Sequence, residues 1–292
     1  MRPSSPSCDP PPQALACLTP IERRWFRVAD FVNRRLKWFA ILWISTLGSA
    51  VVWLGVGNRV RIDGMDRLAT FQPHTRALVV ANHRTFWDFY VFAWITIWGS
   101  RLGRRQFFPV RSTFFYTNPI GGWINALISM MAMFPPILRS KDGKAWNRYA
   151  IERLAHELET PGTWVGIHPE GTRNRSSDPF TFLPAQRGAG QIAVGLPGIR
   201  VIPVFMHGMS NNPLREIWRN FTAPDQHPIF VCIGEDVEID DLRAQEPSPE
   251  LHAAAADRCM AAVARTAEAH RRGPTDLPRA RPVRRRAALV EA

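Results

Sequence analysis

Residues 38–58, between Lys37 and Arg59, contain no charged side chain. A straight helix over them would reach about 31 Å, enough to cross the apolar core of a bilayer. No other stretch limits the fold so strongly, and it ties the chain to a membrane. The basic cluster before it would hold the N-terminal side in the cytoplasm, whereas Arg59 and Arg61 follow on the far side. A bent or re-entrant hairpin near Gly48-Ser49 would keep both ends cytoplasmic. The expected location is therefore the cell membrane, with the main domain facing the cytoplasm. A reduced setting also suits Cys8, Cys17, Cys232 and Cys259, which show neither CxxC pairs nor metal-ligand spacing.

The residues before this stretch read as a helix. Thr19-Pro20-Ile21-Glu22 combines a capping threonine, a proline suited to the first turn and a glutamate that completes a capping box. Ile21, Trp25, Val28, Ala29, Val32 and Leu36 follow at helical spacing, with Arg23, Arg24, Arg27, Arg34, Arg35 and Lys37 around them. That pattern suits a helix lying in the headgroup layer, and the same periodicity fits a surface helix packed on the domain. Of eleven tryptophans, seven precede residue 100, and tryptophan favours places with one apolar and one wet side.

The net charge of +12 invites a nucleic-acid reading. Its distribution argues otherwise, because residues 1–37 carry +4 and residues 271–292 carry +5, with no RNA- or DNA-binding motif. Membrane lipid with anionic headgroups is the expected partner, and no nucleic acid.

From about residue 75 short apolar runs alternate with helical stretches. Residues 77–81, 107–110, 134–138, 163–167, 201–205 and 229–233 read as buried strands. Residues 86–100, 119–131, 144–159, 186–196 and 248–271 read as helices. This alternation predicts an α/β fold with a mostly parallel mixed sheet flanked by helices. The expected organisation is a disordered Pro/Ser-rich leader over 1–18 without a signal-peptide pattern, and membrane-associated helices over 19–58. The main domain follows over 59–272, with a disordered basic tail over 273–292.

Two polar segments each follow an apolar strand. In Asn82-His83-Arg84-Thr85-Phe86-Trp87-Asp88, His83 and Asp88 would sit about 140° apart on one continuous helix. They meet only if His83 lies in the turn and Asp88 in the first turns of the helix. A carboxylate on one imidazole nitrogen then leaves the other free as a base. Alone, the spacing fits equally a surface histidine and a helix-capping aspartate. The second segment, His168-Pro169-Glu170-Gly171-Thr172-Arg173, opens a polar loop after 163–167. Arg173 suits an anion and Glu170 a polyol, and Gly171 allows a tight turn. A given tetrapeptide such as Glu170–Arg173 arises by chance in about one chain in several hundred, so this loop carries more weight than the His-Asp spacing.

With these segments in place the chain resembles the glycerolipid acyltransferases of the 1-acylglycerol-3-phosphate (lysophosphatidic acid) type. The matching pieces, in order, are Asn82-His83 to Asp88, Phe134-Pro135-Pro136-Ile137-Leu138-Arg139, Glu170-Gly171-Thr172-Arg173 and Val201-Ile202-Pro203-Val204. The resemblance implies that His83 is the general base and Asp88 its orienting partner. It implies that Arg139, Glu170 and Arg173 bind the glycerol phosphate part of the acceptor and that Gly171 and Thr172 shape the loop. It places Pro203 in the apolar segment associated with the donor. The implied donor is acyl-CoA or acyl-carrier protein, with direct transfer, no metal and no other cofactor, and an N-terminal helical pair resting in the bilayer. The most direct product is phosphatidic acid. Glycerol 3-phosphate, another lysophospholipid and a lyso-ornithine lipid are other acceptors, and a non-catalytic lipid-binding protein is the alternative of a different class. His168 stands where many relatives carry an aromatic or aliphatic residue, either as a second polar ligand or filling a strand end. Arg187 stands near a place where relatives often have Lys-Gly and keeps the positive charge as a further acceptor-binding candidate. Stretches 89–99 and 120–134 either line an acyl channel or pack the core.

Overall fold

The uninterrupted apolar runs become neighbouring strands because both of their faces are covered. The computed structural model describes residues 9–274 and 276–280. Its strands are β1 (Val60–Asp63), β2 (Ala77–Ala81), β3 (Arg105–Phe107), β4 (Val110–Arg111), β5 (Pro136–Ile137), β6 (Thr163–Ile167), β7 (Arg200–His207) and β8 (Ile229–Ile233). Six form one sheet in the order β1-β8-β7-β2-β6-β3, and β4 pairs separately with β5. Every neighbouring pair is parallel except β7 with β8. Leu78 of β2 stands level with Val165 of β6 and Val201 of β7. These three face one apolar layer, while Val79, Ile202 and Val204 face the other. A sheet buried on both sides needs apolar side chains at every position, not at alternate ones.

The helices are α1 (Pro12–Ala16), α2 (Pro20–Arg35), α3 (Lys37–Trp43), α4 (Ser49–Val56), α5 (Met65–Ala69), α6 (Asp88–Gly99) and α7 (Ser112–Phe115). They continue with α8 (Pro119–Ser129), α9 (Lys144–Glu159), α10 (Arg187–Gly195), α11 (Pro213–Thr222), α12 (Asp240–Arg243) and α13 (Pro249–Arg272). One layer takes Trp146 and Leu154 from α9, Ile192 from α10 and Val263 from α13. The other takes Phe92 and Ile95 from α6 and Val52 and Val56 from α4. The carboxyl ends of β2, β3, β6 and β7 meet at one edge, where an open parallel sheet gathers its loops.

The N-terminal helices differ from expectation in three ways. Thr19 and Glu22 form the capping box, but Phe26, Ala29 and Val32 of α2 pack into the domain. Lys37 is buried: its ammonium donates to Asn33 Oδ1 and to the Gln106 carbonyl and lies over the Phe107 ring. Burial holds its pKa well below the ordinary lysine value. Of the basic set, Arg24, Arg27, Arg34 and Arg35 are exposed, with Arg34 paired to Asp30 and Asp9.

Second, there is no hairpin at Gly48-Ser49. Lys37–Arg59 runs on as 23 residues of helix, with a π-helical turn over Ile44–Gly48, and is long and apolar enough to cross a membrane. Gly48 sits where α8 passes; a Cβ there would come within 2.9 Å of the Ile128 carbonyl oxygen. One side of this helix is therefore covered by the domain. The residues before it, in α2, and after it, in β1, both pack into the domain.

Third, Arg59 does not mark a flank. It is fully buried and pairs with the fully buried Glu216 of α11 at 2.6 Å, while donating to the carbonyls of His227 and Gly208. Glu216 also accepts from the backbone N–H and hydroxyl of Ser210.

Both termini are more structured than a disordered leader and tail. Within 1–18, residues 12–16 form α1 and bury Ala14, with Leu18 buried beyond it, because Arg23 donates to the Leu15 and Leu18 carbonyls. Within 273–292, the Pro278 carbonyl accepts from Ile62 N–H and Ala280 N–H donates to Val60, so this segment borders β1. Residues 1–8, 275 and 281–292, parts of the same leader and tail, lie outside the described residues.

Replacing Arg59 with Met leaves Glu216 as a buried charge without its counter-ion. The expected loss is about 3–5 kcal/mol, read as a lower melting temperature in detergent. The double replacement Arg59→Met with Glu216→Met is expected to recover most of it, since no lone charge remains.

Candidate active site

At the end of β2 the side-chain amide of Asn82 continues the sheet ladder. Its Nδ2 donates to the Met206 carbonyl and its Oδ1 accepts from Met206 N–H, both at 2.8 Å. Asn82 is thereby fixed to β7 and holds the strand end, not a reacting group. His83 lies in the following turn, and Asp88 is the first residue of α6. Asp88 is fully buried and accepts from Arg84 N–H, Thr85 N–H, the Thr85 hydroxyl and His83 Nδ1, the last at 3.0 Å. Burial alone would raise its pKa, but the bonds from His83 and Thr85 and the imidazole charge hold it below the ordinary carboxylate value. An ionised Asp88 only accepts, so the proton of neutral His83 sits on Nδ1 and Nε2 keeps its lone pair.

The loop after β6 folds over this turn. Glu170 is buried; one oxygen accepts from His83 N–H at 2.8 Å and the other from Leu183 N–H at 2.9 Å. Asn174 N–H donates to the His83 carbonyl at 2.8 Å. Glu170, expected at the acceptor's polyol, is thus a brace for the His83 peptide. Gly171 adopts φ +62 and donates to the His168 carbonyl, a turn that an L side chain would strain. The Thr172 hydroxyl accepts from Arg111, and Arg173 donates to Asn211 Oδ1.

His83 opens into a cavity of about 1240 Å³ whose lining also includes Arg111, Arg139 and Arg173. None of these three arginines forms an ion pair among the described residues. Partial burial and the like charges of Arg139, Arg173 and Arg175 pull the Arg111 pKa below its ordinary value, a sign of concentrated positive charge. Sequence reasoning missed Arg111, although it directly follows the run Phe107–Val110. The lining also carries the apolar side chains of Phe86, Phe89, Tyr90, Phe108, Phe115, Ile124 and Met133, and polar ones from Asn147, Arg148, Glu152 and Gln191. Phe89, Tyr90, Ile124 and Met133 of stretches 89–99 and 120–134 therefore reach the cavity, Phe92, Ile95 and Phe134 pack the core, and Trp98, Ile120, Trp123 and Leu127 are exposed. Arg187 does not line it. It begins α10 beside Gln186 and Gly188, which do, and its charge acts on His252. Pro203 lies inside β7, parallel to Val80, away from the lining.

His168 stacks on His83 with ring centroids 3.9 Å apart and 8° between planes, and its Nδ1–H donates to the Ala81 carbonyl. Burial and the neighbouring His83 charge push its pKa down to about 3, so it is a neutral wall for the base. His83, Asp88 and His168 offer ligand atoms within 4.8 Å of one another. Parallel stacked rings direct their lone pairs along parallel planes, and the oxygens of Asp88 are already occupied. The set is shaped as a base with its orienting acid better than as an ion cage.

A family model described as Acyltransferase matches residues 59–207, just over half of the chain. No curated protein matches it.

Glu170→Gln places an amide N–H₂ against one of two backbone donors. It is expected to lower stability by about 1–3 kcal/mol in thermal melting and to loosen His83. His168 contributes a pH dependence whose sign follows from its depressed pKa. The unfolded chain takes up this proton first as pH falls below 6.5, so stability is full above 6.5 and drains away toward about 3. His168→Phe keeps a stacking ring without the proton, and its melting temperature is expected to fall less steeply with acid than that of the wild type.

Proposed function

The chain belongs to the acyltransferase family and is an acyltransferase, and we propose that it acylates a phosphate-bearing lysolipid, 1-acylglycerol-3-phosphate, to give phosphatidic acid. The observation that carries this reading is one cavity that joins His83 of the His83–Asp88 pair, the neighbouring arginines Arg111, Arg139 and Arg173, and a group of aromatic side chains. A base, an anion site and an apolar surface in one volume match an amphiphile with a phosphate head and a hydroxyl to acylate.

In this mechanism Arg111, Arg139 and Arg173 hold the acceptor phosphate, so that the free hydroxyl points at His83. His83 Nε2 removes the hydroxyl proton as the oxygen attacks the thioester carbonyl carbon of acyl-CoA or acyl-carrier protein. Asp88 stabilises the imidazolium and keeps its orientation. Collapse of the tetrahedral intermediate breaks the carbon–sulfur bond, and the imidazolium returns its proton to the leaving thiolate. Proton and electron pair balance without a metal or an acyl-enzyme. Gly171 and Thr172 keep Arg111 and Arg173 beside each other. We place the protein on the cytoplasmic face of the cell membrane, where acyl thioesters and reduced thiols are found; the apolar helix Lys37–Arg59 and the exposed arginines of α2 support this.

Thiol release from palmitoyl- or oleoyl-CoA, offered with a panel of lysolipids, tests the proposal. Wild-type release should depend on the acceptor and be fastest with 1-acylglycerol-3-phosphate, with acyl-carrier protein as the second donor to try. His83→Ala should abolish release, and Asp88→Asn should cut kcat by about 10³–10⁴-fold. Arg173→Gln should raise the acceptor KM by about tenfold or more and leave the donor KM in place. Equal rates with a zwitterionic or uncharged acceptor would remove the phosphate reading, and silence with both donors would remove the enzyme reading.

A further inference from the structure

Two helices of this protein are amphipathic in the wrong sense for water, and a third is apolar on its buried and its exposed side alike. In α11 the buried residues are Glu216 and Asn220, whereas Leu214, Ile217, Trp218 and Phe221 are 78%, 40%, 61% and 52% exposed. In α8 the buried side carries Gly121, Gly122, Asn125 and Ser129, while Ile120, Trp123 and Leu127 are exposed by 55–65%. Along α3, the π turn and α4, Ser45, Gly48, Ser49 and Gly55 turn inward beside Ala40, Ile44, Val52 and Val56, while Trp38, Leu42, Leu47 and Trp53 turn outward. A helix folding in water puts its apolar stripe inside. Small and polar residues inward with large apolar ones outward is the arrangement that suits a hydrocarbon medium.

The three stripes adjoin. Trp43 Nε1 donates to the Leu127 carbonyl, joining α3 to α8. The Trp53 and Phe221 rings meet edge-on at 6.1 Å, and Asn220 donates to the Trp53 and Leu54 carbonyls, joining α4 to α11. The cavity borders the outer two helices, since its lining takes Ile124 from α8, Pro213 from the start of α11 and Asn211 just before it. The Trp25 and Trp123 rings meet edge-on at 6.2 Å and join α2 to α8, and Arg24 and Arg27 of α2 and Arg215 of α11 are exposed.

We propose that α11 and α8 complete a monotopic bilayer-binding face with α3–α4, and that this face seats the cavity mouth on an anionic lipid leaflet. The occupant is a bilayer and not a protein, because the exposed tryptophans and arginines are the side chains that favour the headgroup boundary. The cavity between the helices is one that, on the function proposed above, takes its acceptor from lipid. Seating the mouth on the leaflet lets a lysolipid enter without its chain crossing water. The elements outside the N-terminal helices are the new part of this assignment.

The test is co-flotation of the full-length protein, purified in detergent, with vesicles of phosphatidylcholine containing about one-third phosphatidylglycerol. No acyl donor or acceptor is present, so the outcome does not depend on whether the enzyme reading stands. The variant Leu214→Ser/Ile217→Ser/Trp218→Ser should keep the wild-type melting temperature and partition into vesicles at least about tenfold more weakly. Ile120→Ser/Trp123→Ser/Leu127→Ser should behave alike. Brominated lipid should quench wild-type tryptophan fluorescence more than that of Trp218→Phe, a comparison that leaves the apolar face intact. Wild-type flotation by the α11 variant, with or without a change in self-association, together with equal quenching of Trp218→Phe, would overturn the proposal.

Discussion

The site depends on how one peptide unit is held. His83 N–H is taken by Glu170 and His83 C=O by Asn174 N–H, so the loop after β6 grips the turn after β2 from both sides. β2 and β6 are parallel neighbours, which is why their outgoing loops emerge at the same edge and reach each other. The side chain of His83 is then set by Asp88, itself tied to the backbone of residues 84 and 85. A histidine placed by bonds to its N–H, its C=O and its Nδ1 has little freedom left, and its Nε2 faces the cavity already aimed. Such rigidity lets a base act without paying for alignment at the moment of reaction.

The same grip explains which residues were legible in the sequence. His83, Asp88 and Arg173 belong to short polar segments that each follow an unbroken apolar run, and it is that position, more than the His-Asp spacing itself, that made them legible. Glu170 was legible as a residue of the site but not as a brace, because its partners, His83 N–H and Leu183 N–H, are 87 and 13 residues away. Arg111 was not legible at all, since its meaning comes from β4 pairing with β5 and bringing it near Arg139. β1 was missed because Arg59 precedes it and Arg61 interrupts it; both are satisfied by distant acids, Glu216 and Asp225. The end of the apolar stretch was misjudged for that reason, as a buried arginine and a flanking one look identical in sequence.

α11 was legible and passed over. Asn212 caps it, Pro213 fills its first position, and Leu214, Ile217, Trp218 and Phe221 repeat at helical spacing. A reading that looks for buried strands between helices gives no place to ten residues following β7. The periodicity was present; the side of the helix that it would bury could not be read from it. That was decided by Glu216, whose ion pair with Arg59 turns the polar stripe inward and leaves the apolar one outside.

That buried pair links stability to the membrane face. Arg59 closes the long apolar helix and leads into β1, and Glu216 sits in the middle of α11, so their contact, with the bonds from Asn220 to the Trp53 and Leu54 carbonyls, fixes the angle between the two elements. An amphipathic helix on a bare surface could roll to hide Leu214 and Trp218. Rolling α11 would carry Glu216 away from Arg59 and leave two buried charges apart, at a cost of several kcal/mol. The energy that would be gained by covering the exposed side chains is of the same order. A charge pair inside the protein thus holds apolar side chains outside it, beside the mouth of the cavity that contains the base.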